Sequence, residues 1–360
     1  FDRDQELWEG RNDGLRLSTD RGVSCSSYLI NSPVKMMEFS AGYHTTGSNY
    51  CDAFVGTNSG LYRINCSEGR SAKSPLDVDG TAVAMANQKK GVFIGSQALG
   101  LLKNGNEDEM IQYNNFPNGT IPQIVSIALP REYDETGNCG EEGTIFVAAN
   151  FADSPSDNGV YKSIDFGNSW EKIVGGTGSE WPTTNVTMVD LAISPNFIYD
   201  RTLYAATTSR LFRWNDSTEI WTEVGTDPRF DEITFVALTP SYYYGNSCND
   251  GGQSGAPFNM ILVGGIPQGY TQSYLNVSYN NGVTFSYKSL FPNATGVTFP
   301  KNYFSGSNPS AVCFISSSTE GIMRTSTVNF SNKTYMNGGL PTNRYVVDIA
   351  SDPDWLDLTP

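Results

Sequence analysis

The stretch Tyr161–Trp170, YKSIDFGNSW, holds the residues best suited to chemistry, spaced Ser163-x-Asp165-x-Gly167-x-Ser169-Trp170. A carboxylate fixed between a serine and a glycine can be a catalyst, a metal ligand or a turn device. Other ingredients of catalysis are sparse. His44 is the only histidine, so a Ser-His-Asp or Cys-His site would have to use it. It lies in SAGYHTTGSNY, a composition that reads as a surface loop. No His/Cys cluster has zinc spacing, and no glycine-rich phosphate loop is present. The acidic runs NEDE at 106–109 and DPDWLD at 352–357 could hold calcium, but neither has EF-hand spacing. They read as solvated loops, and no cofactor is expected. Two carboxylates from separate segments could still meet as a glycosidase pair.

The motif recurs in LSTDRGVSC (Ser18, Asp20, Gly22, Ser24) and in VSYNNGVTF (Ser278, Asn280, Gly282, Thr284, Phe285), and broken forms are RWNDSTEIW and RINCSEG. A general acid could not tolerate Asn280 in place of Asp165. A turn could, because either side chain accepts hydrogen bonds from backbone N–H groups just downstream. Gly167 supplies the required φ, and Trp170 an apolar cover. The turn device is therefore the expected role, and no catalytic residue is named.

Such turns need strands to join, and the chain is built to supply them. Its 19 Tyr and 19 Phe stand beside 36 Gly and 18 Pro, a mix of strand and turn formers. Seven segments share one pattern, an apolar strand with a small residue, a turn and a second apolar strand; examples are AFVGTNSGLYRI from Ala53 and LYAATTSRLFRW from Leu203. The small position falls at Gly10, Gly56, Gly95, Ala148, Ala206, Gly264 and Ile315. Another apolar strand precedes each copy except the first, while YVVDIA at 345–350 has no copy after it. The two half-units complete each other. This predicts an all-β, seven-bladed β-propeller of four-stranded antiparallel blades, closed by the N- and C-terminal strands in one blade. The expected blades are 34–78, 82–116, 122–175, 186–226, 232–292, 296–340, and 344–360 with 1–32.

The formal charge of −15 argues against a nucleic-acid partner, and no apolar run is long enough to span a membrane. The chain begins at Phe1, which suggests a processed or excised segment. In CDAFVGTNSGLYRINC, counting outward from a turn at Asn58–Ser59 sets Cys51 opposite Cys66, at a separation that suits a disulfide. An oxidising, extracellular setting then follows. There the sequons at Asn65, Asn118, Asn185, Asn215, Asn276, Asn293, Asn329 and Asn332 become candidate glycan sites.

YKSIDFGNSW resembles the Asp-box (BNR) repeat, and LAISPNFIYDRTLYAAT at 191–207 resembles the segment between boxes in seven-bladed members. That class includes sialidases, xyloglucanase-type glycosidases, sortilin-type receptors and photosystem assembly factors. The resemblance implies a box between third and fourth strands at a blade's outer edge. This chain lacks the Phe/Tyr-Arg-Ile-Pro motif of the sialidases; the nearest match, LYRIN at 61–65, ends in Asn65. It also lacks the second facing propeller of the xyloglucanases and the Cys-rich module of the sortilins.

Long inserts at 130–143 and 240–259 fall between first and second strands, on the face of the boxes. Each carries a cysteine (Cys139, Cys248), which makes the two candidates to pair. Tyr242, Tyr243 and Tyr244 could contact a partner or cover a blade edge. On the opposite face, Trp181, Tyr270 and Tyr274 could stack on a sugar or peptide, or pack within loops. The function expected is a secreted glycoprotein module for protein interaction or self-assembly. The alternative is a glycosidase or lectin-like propeller.

Overall fold

The computed structural model describes residues 7–18, 29–39, 52–57, 60–65, 82–88, 91–104, 110–130, 143–182, 185–226, 229–240, 260–299, 312–326, 330–336 and 345–351. They form seven small antiparallel sheets, and the fold is a seven-bladed β-propeller. The chain opens with β1 (Leu7–Arg11) and β2 (Gly14–Ser18). The next sheet is β3 (Val34–Phe39), β4 (Asp52–Thr57) and β5 (Gly60–Asn65). Then come β6 (Ala82–Gln88), β7 (Gly91–Ser96), β8 (Gly100–Asn104) and β9 (Met110–Gln112). The fourth comprises β10 (Gln123–Ala128), β11 (Ile145–Asn150), β12 (Gly159–Ser163) and β13 (Glu171–Lys172). It is followed by β14 (Met188–Ile193), β15 (Thr202–Thr207), β16 (Leu211–Asn215) and β17 (Ile220–Val224). The sixth holds β18 (Phe230–Leu238), β19 (Ile261–Pro267), β20 (Tyr274–Ser278) and β21 (Ser286–Pro292). The last full sheet is β22 (Ala294–Thr298), β23 (Val312–Ser317), β24 (Gly321–Ser326) and β25 (Thr334–Tyr335). Finally β26 (Val346–Ser351) returns to pair with β1, giving the order β2-β1-β26. The two chain ends thus share one blade, which removes two open sheet edges.

Among the described residues five sheets have four strands and two have three, β3–β5 and β2-β1-β26. Two compact units are delimited, Phe1–Gln112 with Ser289–Pro360, and Tyr113–Lys288. In the first unit β22, β26, β3 and β6 are successive neighbours, and in the second β10, β14 and β18. Among the described side chains, burial is highest on the second strands and lower on the outermost ones. All of β15 and β23 is buried, whereas β13 and β25 are mostly exposed. A strand covered on both faces has no wet side, so its sequence is continuously apolar or small. That is why the second strands read as IFVAA and LYAAT.

The first strand of every blade carries a register shift at the same place. The residue just past it faces the small residue of the second strand. The pairs are Met36↔Gly56, Ala84↔Gly95, Ser126↔Ala148, Asp190↔Ala206, Phe235↔Gly264, Gly296↔Ser316 and Asp348↔Gly10. The seventh small position is thus Ser316, one residue beyond Ile315. The bulge sets the small requirement: it bends the strand and re-aims side chains. A Cβ on Gly10 would lie 2.6 Å from Val34 Cγ1, and one on Gly264 would enter the Phe235 ring.

Candidate functional site

The two described copies of the Ser-x-Asp/Asn-x-Gly box lie between β12 and β13 and between β20 and β21. Asp165 Oδ1 accepts from Ser163 Oγ (2.8 Å) and from Ser169 N (2.9 Å), and Oδ2 accepts from Ser169 Oγ (2.6 Å). Ser163 Oγ in turn accepts from Gly167 N at 2.8 Å. Asn280 repeats this arrangement. Its Oδ1 accepts from Ser278 Oγ and Thr284 N, both at 2.9 Å, and its Nδ2 donates to Thr284 Oγ1 at 2.9 Å. Gly282 N donates to Ser278 Oγ at 2.9 Å. Both turns need two successive positive-φ residues, Phe166 (63°) with Gly167 (90°) and Asn281 (58°) with Gly282 (84°). Glycine is needed at the second, more strained position. Desolvation pushes the Asp165 carboxyl up, yet the bonds from Ser169 and Ser163 outweigh it and hold the group below its ordinary value. Its oxygens are occupied in holding a turn. Of the first box, Ser18 is buried in β2, while Asp20, Gly22 and Ser24 lie outside the described residues.

The aromatic that closes each box has a partner that pattern reading did not supply. Trp170 stacks on Phe116 at 5.2 Å, and its indole N–H donates to Tyr113 O at 3.1 Å. Trp221, which closes the broken box of RWNDSTEIW, lies 4.4 Å from Trp181 and donates to Ile173 O at 3.1 Å. Phe285 meets Phe230 at 5.4 Å, and Phe330, which lies between β24 and β25, meets Phe291 at 6.1 Å. Each partner lies on the chain entering that blade or on its adjoining strand. The box therefore locks the incoming chain onto the blade, and Trp181 is one of these locks. The segment around it covers the outer strand β17: Gly176 N donates to Glu219 O (2.8 Å) and Glu180 N to Trp221 O (2.9 Å). Trp181 is half-buried and packs on Phe212 and Trp221.

Carboxylates at the bulges tie first strands together. Asp190 Oδ1 accepts from Ser126 Oγ on β10 (2.8 Å) and from Leu191 N (2.8 Å), and Oδ2 accepts from Val236 N on β18 (3.0 Å). Asp348 repeats this in the other unit, accepting from Ile349 N (2.8 Å) and from Met37 N on β3 (2.9 Å). Gly296 occupies the place of Ser126, where an added Cβ would stand 3.5 Å from Asp348 Oδ1. Burial pushes Asp190 up to about 6 against its three hydrogen bonds, and burial together with Asp348 pushes Glu38 up to about 8. Both residues are half-buried. A carboxylate inside an apolar strand, as in MVDLAI and YVVDIA, was the available signal for these clamps.

The sequons differ in environment. Asn118, Asn185 and Asn332 are exposed, and Asn215 and Asn293 are half-buried. Asn276 is 1 % exposed, and its Nδ2 donates to Val263 O, Gly265 O and Tyr274 O. A glycan on that nitrogen is incompatible with this fold. The Asn65 side chain and all of Asn329 lie outside the described residues, as do His44, Cys51, Cys66, Cys139, Cys248 and Tyr242, Tyr243 and Tyr244. Strands β4 and β5 pair with Asp52 opposite Asn65. Cys313 is a buried free thiol, pushed up by desolvation. Tyr270 and Tyr274 come together with Tyr287 at the rim of the sixth sheet. Among the described residues no three His, Cys, Asp or Glu side chains are grouped to hold a metal ion, and no helix is long and apolar enough to cross a membrane.

No family model matches the chain, and no curated protein does. Solved structures match it at the level of fold. An ancestral GH74 enzyme superposes with a TM-score of 0.58 at 15% identity, covering 92% of this chain and 44% of its own. A computationally designed protein, Ika8, gives 0.52 at 12% identity, covering 96% and 86%. The extracellular domain assigned to a hybrid two-component system of B. thetaiotaomicron gives 0.52 at 16% identity, covering 88% and 42%. The chain spans under half the length of the first and third of these proteins.

Proposed function

We propose that the chain is an extracellular, N-glycosylated propeller of the Asp-box class that serves as an interaction module, docking protein partners or copies of itself. One observation carries the reading. The motif residue best suited to chemistry, Asp165, has both oxygens occupied by its own turn, and Asn280 does the same work without a carboxylate. The motif is thus scaffold, and scaffold of this kind leaves function to loops. The exposed sequons Asn118, Asn185 and Asn332 support a secreted setting.

The test is to express the chain through a eukaryotic secretory pathway and map deglycosylation-induced Asn-to-Asp conversion by mass spectrometry. Light scattering then follows its mass with concentration. Occupancy at Asn118, Asn185 or Asn332 with none at Asn276, and masses above that of one chain, are expected. An unmodified chain would overturn the glycoprotein reading. A chain that stays single at all concentrations would overturn self-assembly.

A further inference from the structure

We propose that Tyr270, Tyr274 and Tyr287 form a binding platform for a neutral oligosaccharide. The proposal goes beyond the interaction reading and does not depend on it. The three tyrosines come from three places on one blade: the turn after β19, the start of β20, and the exposed outer strand β21. Their ring centroids are 4.8 Å (Tyr270–Tyr287), 5.4 Å (Tyr274–Tyr287) and 6.2 Å (Tyr270–Tyr274) apart, with interplanar angles of 52°, 44° and 86°. Tyr270 is 41 % and Tyr287 42 % exposed. Elsewhere the chain uses its ring clusters as packing: Trp170, Trp221 and Phe285 are each at most 6 % exposed. A cluster of similar spacing left open to water at an outer rim has a different role.

The turn that presents Tyr270 is fixed rather than loose. Tyr270 N donates to Pro267 O (3.0 Å), Gln268 N donates to Arg229 O (2.7 Å), and Gly269 N donates to Asp231 Oδ2 (3.4 Å). The ring faces are therefore held in place before any ligand arrives, which lowers the ordering cost of binding.

The chemistry of the cluster selects the ligand. Tilted rings offer electron-rich faces, which attract the partly positive C–H groups of a pyranose. The rim is polar. Three phenol hydroxyls stand together there, and Tyr274 Oη donates to Gln272 Oε1 at 3.3 Å. Phenols and an amide both donate and accept, which suits sugar hydroxyls. Successive strand residues point to opposite faces, so Lys288, which lies 5.4 Å from the Tyr279 ring, belongs to the other side of β21. The carboxylate beside the cluster, Asp231, which accepts from Gly269 N, disfavours an anionic ligand. The exposed surface of three part-covered tyrosines is on the order of 300 Å², well short of the roughly 800 Å² that a protein partner covers on each side. A sugar needs far less.

The test is titration calorimetry of the whole chain with cellohexaose, mannohexaose and chitohexaose, alongside NMR of the tyrosine rings. One of these sugars is expected to bind and to shift the Tyr270 and Tyr287 ring signals. Tyr287→Ala or Tyr270→Ala is expected to weaken that binding about tenfold. Tyr287→Phe, which keeps the ring and loses the hydroxyl, is expected to weaken it less. Failure of all three sugars to bind at millimolar concentration overturns the proposal. So does binding that leaves the tyrosine ring signals unmoved in the wild-type chain, a reading independent of whether the alanine variants fold. Saturation of the same rings by a proline-rich peptide but by no sugar would overturn it in favour of peptide docking.

Discussion

Asp165 and Asn280 hold their turns through the same atom, Oδ1, which accepts from a serine hydroxyl two residues back and a backbone N–H four residues on. Asp165→Asn should therefore fold with a nearly unchanged unfolding midpoint in denaturant. Asp165→Ala removes the acceptors for Ser163 and Ser169 and should cost about 1–2 kcal/mol. The pH dependence separates the two boxes. The folded Asp165 carboxyl titrates below its ordinary value. Its contribution is thus complete above about pH 4 and is lost as pH falls through the folded value. Asn280 has no such dependence, and Asp165→Asn should flatten that acid limb in a series of urea titrations. These boxes could be read from the chain because the bonds made by the side chains of Ser163, Asp165, Ser278 and Asn280 to their own turns span four residues or fewer. Asn276 could not be judged that way. Its sequon is intact, but its environment is set by β19, more than ten residues upstream.

At the scale of elements, two contacts recur that short patterns do not display. The first is the lock between a box aromatic and the chain entering its blade. Phe116 and Trp170 are 54 positions apart in the sequence, and nothing in YKSIDFGNSW names the partner. Trp170→Ala should cost about 3–5 kcal/mol by removing a buried ring and orphaning Tyr113 O. Chemical denaturation would measure it, and a loss below about 1 kcal/mol would contradict the lock. The second contact is the carboxylate at the bulge. Because folding raises the Asp190 pKa to about 6, the folded chain binds that proton more tightly than the unfolded one. Stability from this group therefore falls as pH rises from about 4 to about 6. Glu38, raised to about 8, extends the fall toward neutrality. Asp190→Asn should flatten the thermal-melting profile between about pH 4 and 6 while weakening the tie to β10 or β18. The apolar strands were legible as such, and so was their small-residue position, but its cause was not. A register shift leaves no residue-type signature, so the sequence pattern points to Ile315 where the pairing places Ser316.

For the whole molecule, the count of blades and the closure of one by both chain ends follow from a circular repeat, legible over the full 360 residues. The pairing that expresses it is β1 with β26, where Trp8 faces Ala350, Gly10 faces Asp348, and the register shifts between Gly10 and Arg11. The functional reading depends on this closure, since it decides which loops share a face. The most direct test is amide–amide NOE spectroscopy on the deuterated chain, recorded between residues 7–11 and 346–351. Antiparallel cross-strand peaks that link Trp8 to Ala350 and break register after Gly10 are expected. Their absence, or pairing of 346–351 with any other segment, would contradict the ring.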